Sequence, residues 1–436
     1  MFRCFTLADK FLRALYTVAL YLSVPLLLLR LVWRGRGNPG YWRRWTERFG
    51  FAGEAAGAAE RIWVHAVSVG EVQAALPLVR ALQARYPGRA IMVTTTTPTG
   101  SDRVREALGE LVEHRYFPYD LPGSVARFLA GVRPCLGVLM ETELWPNMLA
   151  ACGRRGIPVL LVNARLSPRS AAGYRRVAGL AHAMLAGLAG LAVQTRADAR
   201  RLIELGAARE RVRVTGSIKF DLRLPASLRE EGDALRRCFG VERSVWIAAS
   251  THEGEDARVF DAFEQVLRSV PGALLVVVPR HPERFSGVES LARRRGFTVT
   301  RRSERPASCE GFQVYVGDSM GELPLFYAAS DVAFVGGSLV NVGGHNPLEP
   351  AALGLPVLTG PIVFNFEEIV SRLREEGAAR CVRGAAELAC AVTDYLGDGN
   401  LRHRDGQRGK AFVERNRGAL DRVMEMVATV LPGDYE

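Results

Sequence analysis

Hydrophobic residues follow two different patterns along the chain. Between Ala14 and Leu29, sixteen consecutive residues carry no charge, and Arg13 and Arg30 stand at the two ends of the run. From about residue 60 onward, short runs rich in valine, isoleucine and leucine alternate with longer, more polar stretches of helical character. Such alternation is typical of parallel sheets whose strands are joined by crossover helices. The pattern therefore predicts an α/β protein that begins with an apolar helix.

The predicted strands form two sets. The first set is Ile62–Ala66, Ala90–Thr95, Leu136–Met140, Pro158–Val162 and Leu191–Gln194. The second set is Val245–Ala249, Ala273–Pro279, Gln313–Gly317, Val332–Gly336 and Pro356–Leu358. Periodicity is lost over Thr215–Leu228, which indicates a linker, so we predict domains at residues 34–221 and 222–436 after an anchor at residues 1–33. Two α/β halves of this kind are expected to face a cleft, where ligands bind at the carboxyl ends of the strands.

The N-terminal run has the composition of a membrane anchor. From Ala14 to Leu29 it measures about 24 Å as a helix, and extension to Trp33 brings it near the roughly 30 Å of a hydrocarbon core. No polar face runs along it, which disfavours a helix that only lies on the surface. Arginines are more frequent after the run than before it, so the positive-inside rule places the body of the protein in the cytoplasm. A buried helix of a soluble domain and a signal peptide stay open as alternatives.

The charge balance points to an anionic partner. Lysine and arginine number 57 against 46 aspartates and glutamates, a net charge of +11. Nucleic acid, an anionic membrane, a phosphorylated substrate or a generally basic surface would each suit this excess. Only three basic residues are lysines, and one of them, Lys219, lies at the predicted linker. Seven cysteines without a Cys-x-x-Cys pair, and histidines without ligand spacing, argue against a disulfide framework and against a metal site.

Polar motifs follow the predicted strands of the first half. Glu71 opens a helix directly after the first strand, where a carboxylate can act as a general base or simply cap the helix. Glu141 and Glu143 follow the strand Leu136–Met140. Lys219 could neutralise a phosphate or carboxylate, or it could be an ordinary surface lysine. These residues are candidates for the chemistry of the first half.

The second half carries four further polar strand ends. His252 follows one strand, Arg280 and His281 follow the next, and Asp318–Glu322 follows a third. A glycine-rich stretch, Gly336–Glu349, contains two Gly-Gly pairs and precedes a helix, an arrangement that allows backbone N–H groups to approach a phosphate. The chain lacks a P-loop, a Gly-x-Gly-x-x-Gly after the first strand and a Gly-x-Ser-x-Gly elbow. Their absence weighs against an NTPase, a dinucleotide oxidoreductase and an α/β-hydrolase.

Nine motifs together resemble the Kdo transferases of Gram-negative bacteria, where Kdo is 3-deoxy-D-manno-oct-2-ulosonic acid. The motifs are HAVSVGE, TTTTPTGSDRV, YFPYDLP, METELWPN, NARLS, VTGSIKFD, PRHPERF, GDSMGEL and GGHNPLEP. The resemblance covers nearly the whole chain. It implies a GT-B glycosyltransferase fold with two Rossmann-like domains, the first binding the acceptor and the second binding CMP-Kdo. It also implies inverting transfer of Kdo to a tetra-acylated lipid A precursor at the cytoplasmic face of the inner membrane, without metal, cofactor or nucleic acid.

The resemblance also assigns roles to individual residues. It implies that Glu71 is the catalytic base and that Glu141 and Lys219 stabilise the transition state. The CMP contacts that it implies are Pro279, Arg280, Met320, Gly321, Glu322, Asn346, Pro347, Leu348 and Glu349. Two other functions stay open: a GT-B enzyme that uses a UDP-sugar, and a non-catalytic, membrane-tethered binder of anionic lipid.

Overall fold

Two α/β units make up the chain. The computed structural model describes residues 7–51, 60–222 and 224–431. One unit is Met1–Asp221 with Arg417–Glu436, and the other is Leu222–Asn416. The chain thus returns to the first unit after residue 416, which differs from the sequence-based expectation that the C-terminal helix belongs to the second domain. Apolar residues of Ala419–Val430 are buried in the core of the first unit, and the Asp221 carboxylate fixes the start of this helix by accepting hydrogen bonds from the amides of Gly418 (2.6 Å) and Leu420 (2.7 Å).

The first unit contains a seven-stranded parallel sheet of order β3-β2-β1-β4-β5-β6-β7. Its strands are β1 (Arg61–His65), β2 (Ala90–Thr95), β3 (Glu113–Tyr116), β4 (Pro134–Met140), β5 (Val159–Ala164), β6 (Gly190–Val193) and β7 (Val212–Val214). Its helices are α1 (Leu7–Gly37), α2 (Val69–Arg85), α3 (Pro98–Leu108), α4 (Pro122–Val132), α5 (Pro146–Arg154), α6 (Pro168–Arg175), α7 (Ala178–Ala186), α8 (Arg196–Glu204) and, from the C-terminal segment, α17 (Ala419–Val430).

The second unit repeats this design with the order β10-β11-β9-β8-β12-β13-β14. Its strands are β8 (Val245–Thr251), β9 (Leu274–Pro279), β10 (Val299–Arg301), β11 (Val314–Val316), β12 (Val332–Val335), β13 (Val357–Thr359) and β14 (Ala379–Cys381). Its helices are α9 (Leu228–Phe239), α10 (Asp256–Ser269), α11 (Phe285–Arg294), α12 (Leu323–Ala328), α13 (Leu348–Ala352), α14 (Glu367–Glu375), α15 (Ala385–Gly397) and α16 (Gly399–Arg415).

All ten strands that the sequence predicted are present, with ends shifted by no more than two residues. Four described strands were missed, and they are β3, β7, β10 and β14, the outer strands of the two sheets. Each is three or four residues long and carries a charged residue. Edge strands of this kind lack the continuous apolar run that marks a strand buried on both faces.

Each sheet is covered by apolar side chains on both faces. In β1, Ile62 and Val64 point into one cluster with residues of α2 and α17, whereas Trp63 points into another with residues of α4 and α5. The second unit has the same two-sided core around β8, with Trp246 on one face and Ile247 on the other. Two-sided burial is what parallel sheets with crossover helices require, and it leaves the carboxyl ends of the strands as the place for polar residues.

Candidate active site

Glu71 lies in the first turn of α2, directly after the central strand β1. Ser68 is the N-cap of this helix, and its hydroxyl both accepts from the Glu71 amide (3.5 Å) and contacts Glu71 Oε1 (3.3 Å). Glu71 Oε2 accepts a hydrogen bond of 2.8 Å from the Val67 amide. Ser68 and Glu71 thus have the spacing of a capping box, which holds the carboxylate in one orientation. The capping and catalytic interpretations of Glu71 are therefore compatible.

The surroundings of Glu71 favour its neutral form. Burial raises the pKa of Glu71 to about 7, and the negative charges of Glu141 and Glu143 add to this effect, while the hydrogen bond from Val67 opposes it. A carboxyl group that ionises near neutral pH is well matched to accept a proton from a reacting hydroxyl. This raised pKa is compatible with the general-base role predicted for Glu71.

Glu141 and Lys219 form an ion pair in the first unit. Lys219 Nζ lies 3.4 Å from Glu141 Oε1, and about a fifth of each side chain is exposed (22% and 20%). Glu141 is the first residue after β4 and has a positive φ of 55°, an uncommon conformation for a residue with a side chain. Strained backbone of this kind is often found at functional sites. The structure thus brings together the two residues to which the resemblance assigns stabilisation of the transition state.

Asn163 positions the segment that carries Lys219, a role that the sequence analysis missed. Its Oδ1 accepts from the amide of Ile218 (3.2 Å), the first residue of the short 3-10 helix Ile218–Phe220. Asn163 is fully buried at the end of β5 and has a positive φ of 57°. Asparagine is among the residues that tolerate this backbone conformation best. An asparagine that interrupts an apolar strand at its carboxyl end was the available signal.

Three histidines and an arginine lie at the strand ends of the second unit. His252 Nε2 and His345 Nε2 are 2.8 Å apart with their rings stacked, and the His281 ring centre is 5.3 Å from that of His252. Burial lowers the pKa of His345 to about 3 and also lowers the pKa of His252, and the charge of Arg280 acts in the same direction on both. Arg280 is the first residue after β9. Its backbone amide donates a hydrogen bond of 3.0 Å to the carbonyl of Thr251, which fixes the position of its backbone.

Glu349 follows in the first turn of α13. Its Oε1 accepts from Asn346 Nδ2 (3.1 Å), and Asn346 Oδ1 accepts from the Leu348 amide (3.1 Å). Burial raises the pKa of Glu349, while the hydrogen bond from Asn346 and the charge of Arg280 act against this rise. Pro347 and Leu348 are buried beneath this turn. Asn346 and Glu349 are thus joined by a hydrogen bond, and the charge of Arg280 acts on Glu349.

Several amides of the glycine-rich stretch are used within the second unit itself. The buried carboxylate of Glu255 accepts four backbone hydrogen bonds of 2.7–3.0 Å, from the amides of His252, Gly337, Ser338 and Leu339. The amides of Gly344 and His345 donate to the carbonyls of Gly337 and Gly336. These amides are used to fold the loop, so side chains, Arg280 above all, are better candidates for a phosphate. The sequence analysis did not predict a role for Glu255, because His252 lies closer to the end of the strand.

Met320, Gly321 and Glu322 precede α12. Met320 is 52% exposed, and Gly321 has a φ of 82° with open space where a Cβ would lie. Glu322 Oε1 and Oε2 pair with Arg302 at 2.8 and 3.1 Å, and Ser319 donates to the same carboxylate. The hydrogen bond from Arg302 lowers the pKa of Glu322. Arg302 was missed because it follows the unpredicted edge strand β10. Among the described residues, no group of three or more histidine, cysteine, aspartate or glutamate side chains is arranged to hold a metal ion.

Comparison with known proteins decides the family. The family model described as 3-Deoxy-D-manno-octulosonic-acid transferase (kdotransferase) matches residues 43–222. The 3-deoxy-D-manno-octulosonic acid transferase of Haemophilus influenzae is 44% identical over 421 residues, which cover 96% of this chain and 99% of that protein. The enzyme of the same name from Bordetella pertussis is 37% identical over 428 residues, 95% of this chain and 98% of that protein. The chain belongs to the Kdo transferase family. It is therefore a glycosyltransferase, as the sequence motifs implied.

Solved structures confirm the fold of this Kdo transferase. MurG from Acinetobacter baumannii aligns with a TM-score of 0.54 at 12% identity, covering 85% of this chain and 99% of that chain. UDP-GlcNAc 2-epimerase from Neisseria meningitidis aligns with a TM-score of 0.54 at 14% identity, covering 85% of this chain and 100% of that chain. At these identities the likeness concerns the fold alone, and it is the GT-B arrangement of two Rossmann-like units that the sequence predicted.

Within this Kdo transferase the predicted site residues separate into two groups. The three residues expected to be catalytic, Glu71, Glu141 and Lys219, all lie in the first unit, and the negative charge of Glu141 acts on Glu71. The residues expected to contact CMP all lie in the second unit, where Arg280 acts on Glu349 and Glu322 pairs with Arg302. The assignment of catalysis to the first unit and of CMP binding to the second stays a prediction.

Proposed function

We propose that the protein transfers Kdo from CMP-Kdo to a sugar hydroxyl of the tetra-acylated lipid A precursor, with inversion of configuration and without a metal ion. The proposal places the reaction at the cytoplasmic face of the bacterial inner membrane. Membership of the Kdo transferase family supports the transferred sugar. The observation that carries the mechanism is the orientation of Glu71 by the Val67 amide and the Ser68 hydroxyl, together with its pKa of about 7.

In the proposed mechanism, Glu71 takes the proton of the acceptor hydroxyl while that oxygen attacks the anomeric carbon of Kdo. The bond between this carbon and the phosphate oxygen breaks, and CMP leaves from the opposite face with the bonding electron pair. Attack on one face and departure from the other invert the configuration. Glu71 is suited to the task because a base is most effective when its pKa lies near the operating pH.

Charge that develops during the transfer is met by fixed ionic groups. Negative charge grows on the departing phosphate and positive charge grows on the sugar ring. We assign stabilisation of the negative phosphate to Lys219 and Arg280. Glu141 would either orient the Lys219 ammonium group or stabilise the positive sugar ring. The ion pair of 3.4 Å between Glu141 and Lys219 supports the orienting role.

CMP binding is assigned to the second unit. Arg280 would contact the phosphate, and Glu349 would accept hydrogen bonds from the ribose hydroxyls, with Asn346 holding its carboxylate in place. The remaining proposed contacts are Pro279, Met320, Gly321, Glu322, Pro347 and Leu348. The ion pair with Arg302 keeps Glu322 ionised and thus able to accept hydrogen bonds.

The direct test is incubation of the purified protein with CMP-Kdo and the lipid A precursor in detergent. Mass spectrometry should show a product heavier by one or more Kdo units, and a chelator should leave its formation unchanged. Replacement of CMP-Kdo by UDP-sugars distinguishes the alternative enzyme, and saturable binding of UDP with no binding of CMP would overturn the proposal. A Glu71→Gln variant with full biological activity would instead favour the non-catalytic lipid binder.

A further inference from the structure

Helix α1 has two faces that differ in what they contact. Along one face, apolar side chains recur every three or four residues and are 54% to 76% exposed: Phe11, Leu15, Val18, Leu22, Leu26, Leu29 and Trp33. Along the opposite face, side chains at the same spacing are half-buried or buried: Leu12, Tyr16, Leu20, Leu27 and Leu31. That face packs against α5 and α7 of the first unit. The helix therefore contacts its own domain through this one face, while the rest of its surface stays exposed.

Two polar side chains of α1, Tyr16 and Thr17, lie on the packed face and have partners there. Thr17 Oγ1 and Asn147 are hydrogen-bonded at 3.0–3.2 Å, and the Tyr16 hydroxyl bonds to the carboxylate of Asp120. Asp120 in turn accepts from the amides of Asn147 (2.8 Å) and Met148 (2.7 Å), so it anchors the first turn of α5. These two polar groups are satisfied by the domain, and the outward side chains from Phe11 to Leu29 that form the exposed stripe are apolar.

This attachment decides how α1 can meet a membrane. A helix that crosses a bilayer is surrounded by lipid or by other spanning segments, and lipid does not accept the loops and sheet edges of an α/β domain. α1 has 31 residues, of which the stretch Phe11–Gly37 is long and apolar enough to cross a membrane. It could cross only by separating from α5 and α7 and abandoning the hydrogen bonds of Tyr16 and Thr17. Lying flat, it keeps both the packing and the exposed apolar face.

The last turns of α1 and the segment that follows it fit the same orientation. Trp33, Trp42 and Trp45 are 70%, 47% and 45% exposed. Tryptophan is enriched at the level of the lipid headgroups, where its ring is amphipathic. Exposed arginines accompany them at Arg30, Arg34, Arg36 and Arg43. Basic residues near an anionic lipid surface are attracted to it electrostatically.

We infer that α1 lies in the plane of the membrane as a monotopic anchor. Its outward face enters the boundary between headgroups and acyl chains of an anionic bilayer, and both of its ends stay on the side that carries the body of the protein. The inference rests on the membrane association that the proposed function includes, and it replaces the crossing helix that the run of apolar residues suggested. An in-plane helix also brings the first unit against the surface where a lipid substrate resides.

Sidedness tests the orientation directly. One version of the full chain carries a protease-cleavable epitope tag at its N-terminus, and a matched version carries the tag at its C-terminus. Each tagged protein is expressed and recovered in inverted inner-membrane vesicles. We expect protease added outside the vesicles to remove both tags equally. Protection of the N-terminal tag alone, released by detergent, would show that α1 crosses the membrane and would overturn the inference. Failure of the untagged chain to sediment with vesicles at all would instead contradict the proposed membrane association.

Binding of variants to vesicles tests which face enters the lipid. Leu22→Asp should weaken binding to phosphatidylglycerol/phosphatidylcholine vesicles at least tenfold and leave transfer to detergent-dispersed acceptor unchanged. Leu111→Asp is the matched control, because Leu111 is also exposed (53%) and lies elsewhere in the first unit. Equal binding of the two variants would contradict the inference. Light scattering tests whether the outward face of α1 binds a second copy of the chain instead of lipid. If Leu22→Asp converted a dimer to a monomer and left vesicle binding unchanged, the inference would also be overturned.

Discussion

Lys219 Nζ and Glu141 Oε1 lie 3.4 Å apart, although 78 positions separate the two residues in the chain. Glu141 follows β4 and Lys219 follows β7, so the pair joins two strand ends that are three strands apart in one sheet. The ammonium group is compact and its position depends on this carboxylate and on the segment that Asn163 holds. A fixed cation of this kind can stabilise charge that grows toward the transition state.

Replacement of Lys219 should reduce turnover more than CMP binding. We expect Lys219→Ala to lower kcat by about 10²-fold, the usual cost of losing one preorganised electrostatic contact. Lys219→Arg should restore little of this loss, since the planar guanidinium cannot occupy the place of an ammonium. Steady-state kinetics beside CMP titration provide the measurement. A rise in KM alone would make Lys219 a residue of ground-state binding.

Replacement of Glu71 should remove most of the turnover. Glu71→Gln keeps an oxygen that can accept from the Val67 amide, so the fold and CMP affinity should persist. Loss of a positioned base lowers the rate by about 10²–10⁴-fold. Glu210→Gln, an exposed glutamate in the same unit, is the matched control and should retain full turnover. Near-normal rates for Glu71→Gln would refute the assignment of the base.

The pH dependence of the rate should report Glu71. Its pKa of about 7 means that kcat falls as pH decreases through this value, because the base becomes protonated. The raised pKa also affects the free energy of unfolding, because the folded state binds the Glu71 proton more tightly than the unfolded chain does. The stabilisation that this proton provides therefore decreases as pH rises from the ordinary pKa of glutamate through 7. The unfolding free energy of Glu71→Gln minus that of the parent should therefore be larger at pH 8 than at pH 4. Calorimetry at both pH values provides the check, and an equal difference at both would contradict the raised pKa.

Arg280 should carry the affinity for the CMP phosphate. Among the described residues its guanidinium has no ion-pair partner, although its charge acts on His252, His345 and Glu349. A charge-assisted hydrogen bond contributes about 1.5–3 kcal/mol, so Arg280→Ala should weaken CMP binding about 10- to 100-fold. Arg294→Ala, which removes an exposed arginine of α11, serves as the control. Equal CMP affinity in the two variants would place the phosphate elsewhere.

Glu255 should be essential for the stability of the second unit. A glutamine at this position would turn an amide group toward backbone N–H donors that now share a carboxylate, and at least one donor would lose its acceptor. The cost of such a buried unpaired donor, together with the lost charge-assisted bonds, is about 3 kcal/mol. Thermal unfolding of Glu255→Gln should show it, whereas Glu253→Gln, at an exposed position, should unfold like the parent. An unchanged unfolding temperature for both would show that the loop does not depend on this carboxylate.

The sequence by itself determined the inner strands, the class of fold and the family. Inner strands of a parallel sheet are buried on both faces, and this leaves a continuous apolar run that is legible without a structure, as in Ile62–Ala66 and Val245–Ala249. Candidate residues were found for the same reason, since polar side chains directly after such runs stand out. Glu71, Glu141 and Arg280 were identified in this way.

Only the tertiary structure decided how distant segments combine. The outer strands depend on pairing with a neighbour rather than on their own hydrophobicity, so β3, β7, β10 and β14 left no local signal. α17 joins the first unit because its apolar face is buried there and Asp221 binds its first turn, a contact between residues nearly two hundred positions apart. Glu255 takes the amides of the glycine-rich loop, and Tyr16 and Thr17 attach α1 to its domain. Periodicity records which face of a segment is apolar, but the partner that covers the face is a property of the folded chain.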